Sequence, residues 1–258
     1  MRIDCAVSLC DRAKFTYSWA PHRDYSADDL SQILARNRFD GAIAGAQTGD
    51  PAETDWLLAL AAQYPWIAGV LARGGEPRDW DRWQRQPAFL GVEPSSPSTA
   101  AELAARGLIC RMAPPAAVEA LSAAPSLRLV VRAMAGLSFT PEEFERWAAS
   151  LEPFRAASAL IQVDGLLDFA AAGMWRADTY RPWVRHLLEA FGPARIAYGS
   201  GWPLSMPHCT WKESLACFTQ AMGAQTWEDR ALMLGENALN YYRPAFASVG
   251  YTEGSPSG

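Results

Sequence analysis

The sequence has few residues of the kinds that build metal centres. Histidine occurs only as His22, His186 and His208, whereas a catalytic zinc or manganese site usually draws on two or three histidines. The five cysteines are odd in number, scattered and without a C-x2-C pair, which favours reduced, mostly buried thiols over disulfides or a zinc site. These shortages argue against a metal centre built from histidine and cysteine.

The chain also lacks basic clusters and long apolar runs. Its net charge is -5 and no run of Lys or Arg occurs, which argues against a nucleic-acid or anionic-membrane partner. No apolar run approaches the roughly 20 residues that span a bilayer, and the start MRIDCAVSLCDRAK lacks a signal peptide's order of basic and apolar segments. We therefore expect a cytoplasmic protein with a small-molecule or protein partner, and a homodimer stays open.

No Ser/Gly/Pro linker divides the 258 residues, half of which are apolar, so one large core is expected. Short β-prone runs such as 2–9 and 41–47 alternate with amphipathic helices such as the one that Ser26 can cap. This alternation belongs to the α/β class, and the length suits a single (β/α)8 barrel domain over residues 1–246. Residues 247–258 are small and polar, and we expect a disordered tail there.

The stretch 195–203, RIAYGSGWP, predicts where a pocket lies. Its first residues are apolar or β-prone and follow the helix-stop dipeptide Gly192-Pro193, which indicates a buried strand. Ser200 and Trp202 then sit at the C-terminal end of that strand. Ligands bind at this end in parallel α/β proteins, so both residues are candidates for substrate binding.

Charged side chains follow the apolar runs of four other predicted strands. Arg132 ends one run, and a guanidinium at a buried strand end needs an anionic partner: Glu93, Asp164 or an anionic ligand. We expect Glu93 or Asp164 to act as a general base whose pKa is raised by burial, while Arg111 or Arg132 holds a carboxylate or enolate. His208, in the loop after the last strand, could shuttle a proton. A solvated strand-end glutamate is the alternative for Glu93.

Several motifs resemble those of the amidohydrolase-related family, in the branch of sugar-lactone lactonases and 2-pyrone-4,6-dicarboxylate lactonase. The stretch 195–203 is similar to the family's GSDWP signature, Ile3-Asp4 opens as its I-D-x-H-x-H strand does, and Phe15, Tyr17 and Trp19 resemble its F-x-Y-x-W loop. The resemblance implies a (β/α)8 TIM barrel of the amidohydrolase type. It also implies substrate contacts at further residues, which are Tyr17, Trp19, Gln47 and Gln162; a lid packed over the barrel is the alternative for the aromatic pair.

The family's catalytic motifs are replaced. The two histidines of the opening strand become Ala6 and Ser8, the Asp-His pair becomes Arg132-Ala133, and the signature aspartate, a metal ligand or proton-transfer base in the family, becomes Gly201. The sequence therefore predicts a site with no metal and no cofactor.

These observations predict a metal-independent amidohydrolase-like enzyme that acts on a small cyclic or carboxylated metabolite. Lactone or ester hydrolysis, elimination, isomerisation and cyclisation all suit carboxylate and arginine side chains. One alternative is a catalytically inactive binding or scaffold protein that has kept the barrel. Another is an active metal hydrolase in which His22, His208 and the cysteines are regrouped in space.

Overall fold

The computed structural model of the protein describes residues 1–171 and 173–246, so the tail predicted at 247–258 lies outside the described residues. Eight parallel strands follow one another in chain order around a single sheet. They are β1 (Ile3–Val7), β2 (Gly41–Gly45), β3 (Ile67–Arg73), β4 (Phe89–Glu93), β5 (Ile109–Met112), β6 (Arg128–Arg132), β7 (Leu160–Val163) and β8 (Ile196–Tyr198). The predicted (β/α)8 barrel is confirmed.

Helices connect the strands and surround them. They are α1 (Ala27–Arg36), α2 (Pro51–Gln63), α3 (Pro77–Trp83), α4 (Ala100–Ala105), α5 (Pro114–Ala123), α6 (Pro141–Leu151), α7 (Ala177–Phe191), α8 (Trp211–Ala221), α9 (Trp227–Ala231) and α10 (Asn237–Phe246). Ser26 caps α1 as predicted, because its hydroxyl accepts from the Asp29 N–H. The Asp29 carboxylate accepts from the Ser26 N–H in return, which completes a capping box. None of the helices in the described part of the chain is long and apolar enough to cross a bilayer.

The two ends of the sheet meet at β1 and the loop after β8. The Ser8 N–H donates to the Trp202 carbonyl at 2.7 Å, and the Gly201 N–H donates to the Ala6 carbonyl at 2.9 Å. Behind this seam lies Asp4, which is fully buried and accepts from the Ser200 N–H at 2.8 Å and from Trp211 Nε1 at 2.7 Å. Four hydrogen bonds between opposite ends of the chain thus close the barrel.

Apolar side chains fill the barrel and shut one end of it. A buried cluster draws at least one residue from each strand and includes Ala238 and Tyr242 of α10. The segment 227–242 reads as one helix in the sequence, but a π-helical turn, Leu232–Glu236, separates α9 from α10. A Cβ on Gly235 would lie 2.7 Å from Arg2 Cα, so the turn is where this segment crosses the start of β1. With that end filled in the described chain, we expect a ligand to enter at the carboxyl ends of the strands.

Candidate active site

A cavity of about 110 Å³ opens at the carboxyl ends of the strands, as the glycine-rich stretch after β8 predicts. Its wall is mostly polar and charged. The lining residues are Ala6, Val7, Ser8, Gln47, Arg73, Glu93, Arg111, Arg132, Asp164, Asp168, Gly201, Trp202 and Leu204. Six of the residues predicted from the sequence therefore meet in one place: Gln47, Glu93, Arg111, Arg132, Asp164 and Trp202.

Glu93, at the end of β4, is surrounded by arginines. Arg111 Nε and Nη2 both lie 2.9 Å from Glu93 Oε2. Arg132 Nη1 and Arg73 Nη1 lie 3.5 and 3.7 Å from Glu93 Oε1, which is long for a hydrogen bond. Arg111 is therefore the firm partner of Glu93, while Arg73 and Arg132 keep N–H groups available for a ligand.

Asp164, which follows β7, forms the second ion pair of the cavity. Arg132 Nη2 and Nε donate to Asp164 Oδ2 at 2.8 and 3.2 Å. Asp164 Oδ1 is buried and has no hydrogen-bond partner among the described residues. Arg132 thus connects the two carboxylates, and one carboxylate oxygen is left for a water or a ligand.

Pairing with arginines shifts the pKa values of Glu93 and Asp164 in the direction opposite to the one expected from burial. Burial alone would raise the pKa of Glu93, but Arg111, Arg132 and Arg73 outweigh it and hold that pKa below its ordinary value. Burial acts in the same way on Asp164, and Arg132 again outweighs it, so the pKa of Asp164 is also lowered. The expectation of a raised pKa at Glu93 or Asp164 is therefore wrong, because each stays ionised and is a poor proton acceptor.

Arginines hold only two of the three carboxylates in this cavity. Three guanidinium groups face Glu93 and Asp164, whereas Asp168 forms no ion pair with a described residue. Arg111 is 4% exposed, and a Cβ on Gly45 would lie 2.6 Å from its Nη2, so the small residue at the end of β2 makes room for the guanidinium. The cavity is suited to an anionic ligand.

Sequence reasoning missed two charged residues of the cavity, Arg73 and Asp168. Arg73 ends the apolar run of β3 as Arg132 ends that of β6, so the same signal could have found it. Asp168 lies in a turn beyond β7, where no strand pattern points to it. Burial, the largest influence, raises the pKa of Asp168 to about 6; Asp164 acts in the same direction, and Arg132 and His208 oppose it.

Five residues predicted for the site lie outside the cavity lining: Tyr17, Trp19, Gln162, Ser200 and His208. Ser200 is 1% exposed, and its hydroxyl accepts from the Trp202 N–H at 3.0 Å behind the wall. Gln162 is fully buried, and neither of its amide atoms has a partner within the described chain. A ring nitrogen of His208 lies 2.9 Å from the Ala170 carbonyl, close enough to Asp168 to influence its pKa. Their roles in binding or proton transfer stay predictions.

The aromatic residues of the first loop lead towards the cavity. Ring centroids lie 6.0 Å apart from Tyr17 to Trp19 and 6.0 Å apart from Trp19 to Tyr25. Tyr25 then meets Trp202 edge to face at 5.5 Å, and Trp202 lines the cavity. Tyr17 and Trp19 thus support the wall from behind, which fits the packing alternative more closely than direct stacking on a ligand.

The residues of this cavity do not fit the metal that the family resemblance implies. Ala6 and Ser8 line it where the family has histidines, and the guanidinium groups beside Glu93 and Asp164 would repel a cation. Across residues 1–171 and 173–246, no three His, Cys, Asp or Glu side chains are grouped as ligands. The regrouped metal site considered from the sequence therefore finds no support in the geometry. All five cysteines are buried and form no disulfide.

Known proteins share this fold over nearly its whole length. L-fucono-1,5-lactonase from Burkholderia ambifaria is 24% identical over 284 residues, which cover 94% of this chain and 95% of that protein. A crystal structure of an amidohydrolase from Burkholderia multivorans with bound zinc has a TM-score of 0.80 at 21% identity, covering 94% of this chain and 99% of the other.

A second solved structure is that of a probable 2-pyrone-4,6-dicarboxylic acid hydrolase from Acinetobacter baumannii with citric acid bound. It has a TM-score of 0.73 at 13% identity and covers 94% of this chain and 99% of the other. The family model described as Amidohydrolase matches residues 14–243, which is most of the sequence. The chain therefore belongs to the amidohydrolase family.

Proposed function

We propose that this amidohydrolase-fold enzyme hydrolyses a small lactone that carries a carboxylate, and that it does so without a metal. The observation that carries the proposal is the convergence of three guanidinium groups, those of Arg73, Arg111 and Arg132, on one cavity, where two of them make only long contacts with Glu93. The names of two similar proteins, a lactonase and a probable dicarboxylic acid hydrolase, support ring-opening hydrolysis and a carboxylated substrate respectively.

Each arginine has a separate task in this proposal. Arg73 and Arg132, whose contacts with Glu93 are long, take the substrate carboxylate. Arg111 is held by Glu93 and is nearly inaccessible to solvent, so it is a preorganised cation for the oxyanion that forms when water attacks the lactone carbonyl. Glu93 and Asp164 keep the three arginines in place and act as positioning residues.

A lactone fits this machinery better than an amide does. The donor set offers no Lewis acid, and water attacks an amide slowly without one. The carbonyl carbon of a lactone is more electrophilic than that of an amide. Its leaving group, the ring oxygen, departs as an alkoxide that needs one proton. Elimination, isomerisation and cyclisation, which the sequence also allows, remain hypotheses for the same cavity. A cytoplasmic location and a single barrel domain over 1–246 belong to the proposal too.

The test compares a carboxylated lactone with a neutral one. Purified protein is assayed with 2-pyrone-4,6-dicarboxylate and with L-fucono-1,5-lactone, and ring opening is followed by proton release to an indicator dye. We expect a kcat/KM higher for the carboxylated lactone. In Arg73→Met, the KM for the carboxylated lactone should rise roughly 10-fold or more, since the hydrogen bond that Arg73 donates to the substrate carboxylate contributes about 1.5 to 3 kcal/mol.

Arg78→Met is the matched control, because Arg78 follows the same strand and its side chain is 82% exposed on α3. Equal rates for the two lactones, together with an unchanged KM in Arg73→Met, would contradict the proposal. Carboxylate binding without turnover of either lactone would favour the inactive binding protein. Two observations favour that alternative: arginines hold both paired carboxylates, and Gly201 replaces the family's aspartate.

A further inference from the structure

Glycine at position 201 leaves the site without the carboxylate of the family signature. Gly201 has φ +72°, and a Cβ built on it would point towards Ser205 Oγ, at 3.4 Å, and the Gly165 N–H, at 3.7 Å. A side chain at 201 would therefore lie against the turn that follows β7. That turn carries a carboxylate of its own, Asp168, which lines the same cavity.

The backbone of this turn is closed by a hydrogen bond, and a glycine lies beneath the carboxylate. The Asp168 N–H donates to the Gly165 carbonyl at 3.2 Å, which closes the turn. Gly165 has φ +77°, and a Cβ on it would lie 2.6 Å from Asp168 Oδ2. Only glycine combines that backbone conformation with space for the carboxylate to fold back towards the cavity.

Asp168 is the lining carboxylate that no arginine holds. Its Oδ1 is buried and accepts no hydrogen bond from any described residue, whereas Glu93 and Asp164 each accept from a guanidinium. The ionisable groups that influence it are Asp164, Arg132, His208 and Cys209. A partly buried carboxylate whose Oδ1 has a vacant lone pair, next to a polar cavity, is placed to accept a proton from water.

We propose that Asp168 is the general base of the hydrolysis, supplied from the β7 turn in place of the missing carboxylate at position 201. The inference rests on the proposed function. Asp168 takes a proton from water as the water oxygen forms a bond to the lactone carbonyl carbon, and Arg111 stabilises the oxyanion. The ring C–O bond then breaks, and protonated Asp168 returns its proton to the leaving alkoxide. The products are a hydroxyl group and a new carboxylic acid, which ionises.

The first test is the pH dependence of turnover. We expect kcat/KM to fall as the pH drops below about 6, where Asp168 becomes protonated. Asp168→Asn should lower kcat by about 10²- to 10⁴-fold, the usual contribution of a general base, and should remove that limb of the profile. Asp178→Asn is the control, since that carboxylate is 85% exposed and pairs only with Arg181 among the described residues.

A second measurement needs no turnover and uses citrate as the anionic probe. Replacing an ionised Asp168 by Asn removes a negative charge from the cavity, so Asp168→Asn should bind citrate several-fold more tightly than the wild type at pH 8. The ratio of the two affinities should approach one at pH 5, because Asp168 is mostly neutral there. A ratio that does not change with pH would overturn the placement of Asp168 in the site.

The outcomes separate this inference from the proposed function. If the wild type opens lactones and Asp168→Asn keeps the rate and its pH profile, only the assignment of the base fails. If the wild type opens no lactone, the proposed function is refuted, and the assignment of Asp168 as its general base is refuted as well. Loss of the acidic limb in Asp168→Asn, with Asp178→Asn unchanged, would support both.

Discussion

The two arginines on Glu93 should differ sharply in their effect on stability. Arg111 has a side chain that is 5% exposed and two nitrogens 2.9 Å from Glu93 Oε2, whereas Arg73 is 47% exposed and 3.7 Å from Oε1. Removing one member of a buried ion pair costs about 3 to 5 kcal/mol, while an exposed pair contributes less than about 1 kcal/mol. Arg111→Met should therefore lower the free energy of unfolding several times more than Arg73→Met.

Thermal unfolding at pH 7, followed by circular dichroism, measures this difference. For a domain of this size, the loss in Arg111→Met corresponds to a fall in Tm on the order of 10 °C, against about 1 to 3 °C in Arg73→Met. The double variant Arg111→Met/Glu93→Leu should recover most of the loss, because an apolar pair of similar volume replaces an uncompensated charge. Equal costs for the two single variants, or no recovery in the double variant, would refute the reasoning.

Three further predictions follow from the same cavity. Asp164→Asn should destabilise the protein more at pH 7 than near pH 3, since a lowered pKa gives stability that is fully present above the unfolded value of 3.8 and decreases as the pH falls towards the folded pKa. Urea unfolding at both pH values checks this. Gly45→Ala should cost about 1 to 3 kcal/mol and weaken citrate binding, measured by calorimetry, because its Cβ displaces the Arg111 guanidinium. Chelator should leave the Tm unchanged, and elemental analysis should find no stoichiometric metal, since no group of described His, Cys, Asp and Glu side chains fits a metal ion. A Tm that falls on chelation would contradict this.

One rule allowed much of the site to be predicted from the sequence. Parallel strands bring their carboxyl ends to the same mouth, so the charged residues that end apolar runs had to meet. Glu93, Arg111, Arg132 and Asp164 all line the cavity as that rule requires. The cap at Ser26 and the strands within 2–9, 41–47 and 195–203 follow from equally local patterns.

What the sequence could not supply depends on contacts between distant elements. The pKa of Glu93 is lowered because three arginines from other strands converge on it, and burial alone gives the opposite sign. Asp168 reaches the cavity only because Gly165 adopts a positive φ, which no hydrophobic pattern reveals. Ser200 stands at the predicted strand end but does not line the cavity: its N–H donates to Asp4 of β1, and its hydroxyl accepts from the Trp202 N–H.

The seam at Asp4 joins residues from both ends of the sequence, so the cavity forms only once nearly the whole chain is present. Asp4 accepts from Ser200 and from Trp211, which are 196 and 207 positions away, and Trp202 completes both the seam and the cavity wall. During synthesis the first strands emerge long before these partners exist, so the pocket cannot form on the ribosome until translation has passed the eighth strand. A prematurely terminated chain cannot be rescued by substrate, and ligand can stabilise only molecules whose translation has gone beyond that point.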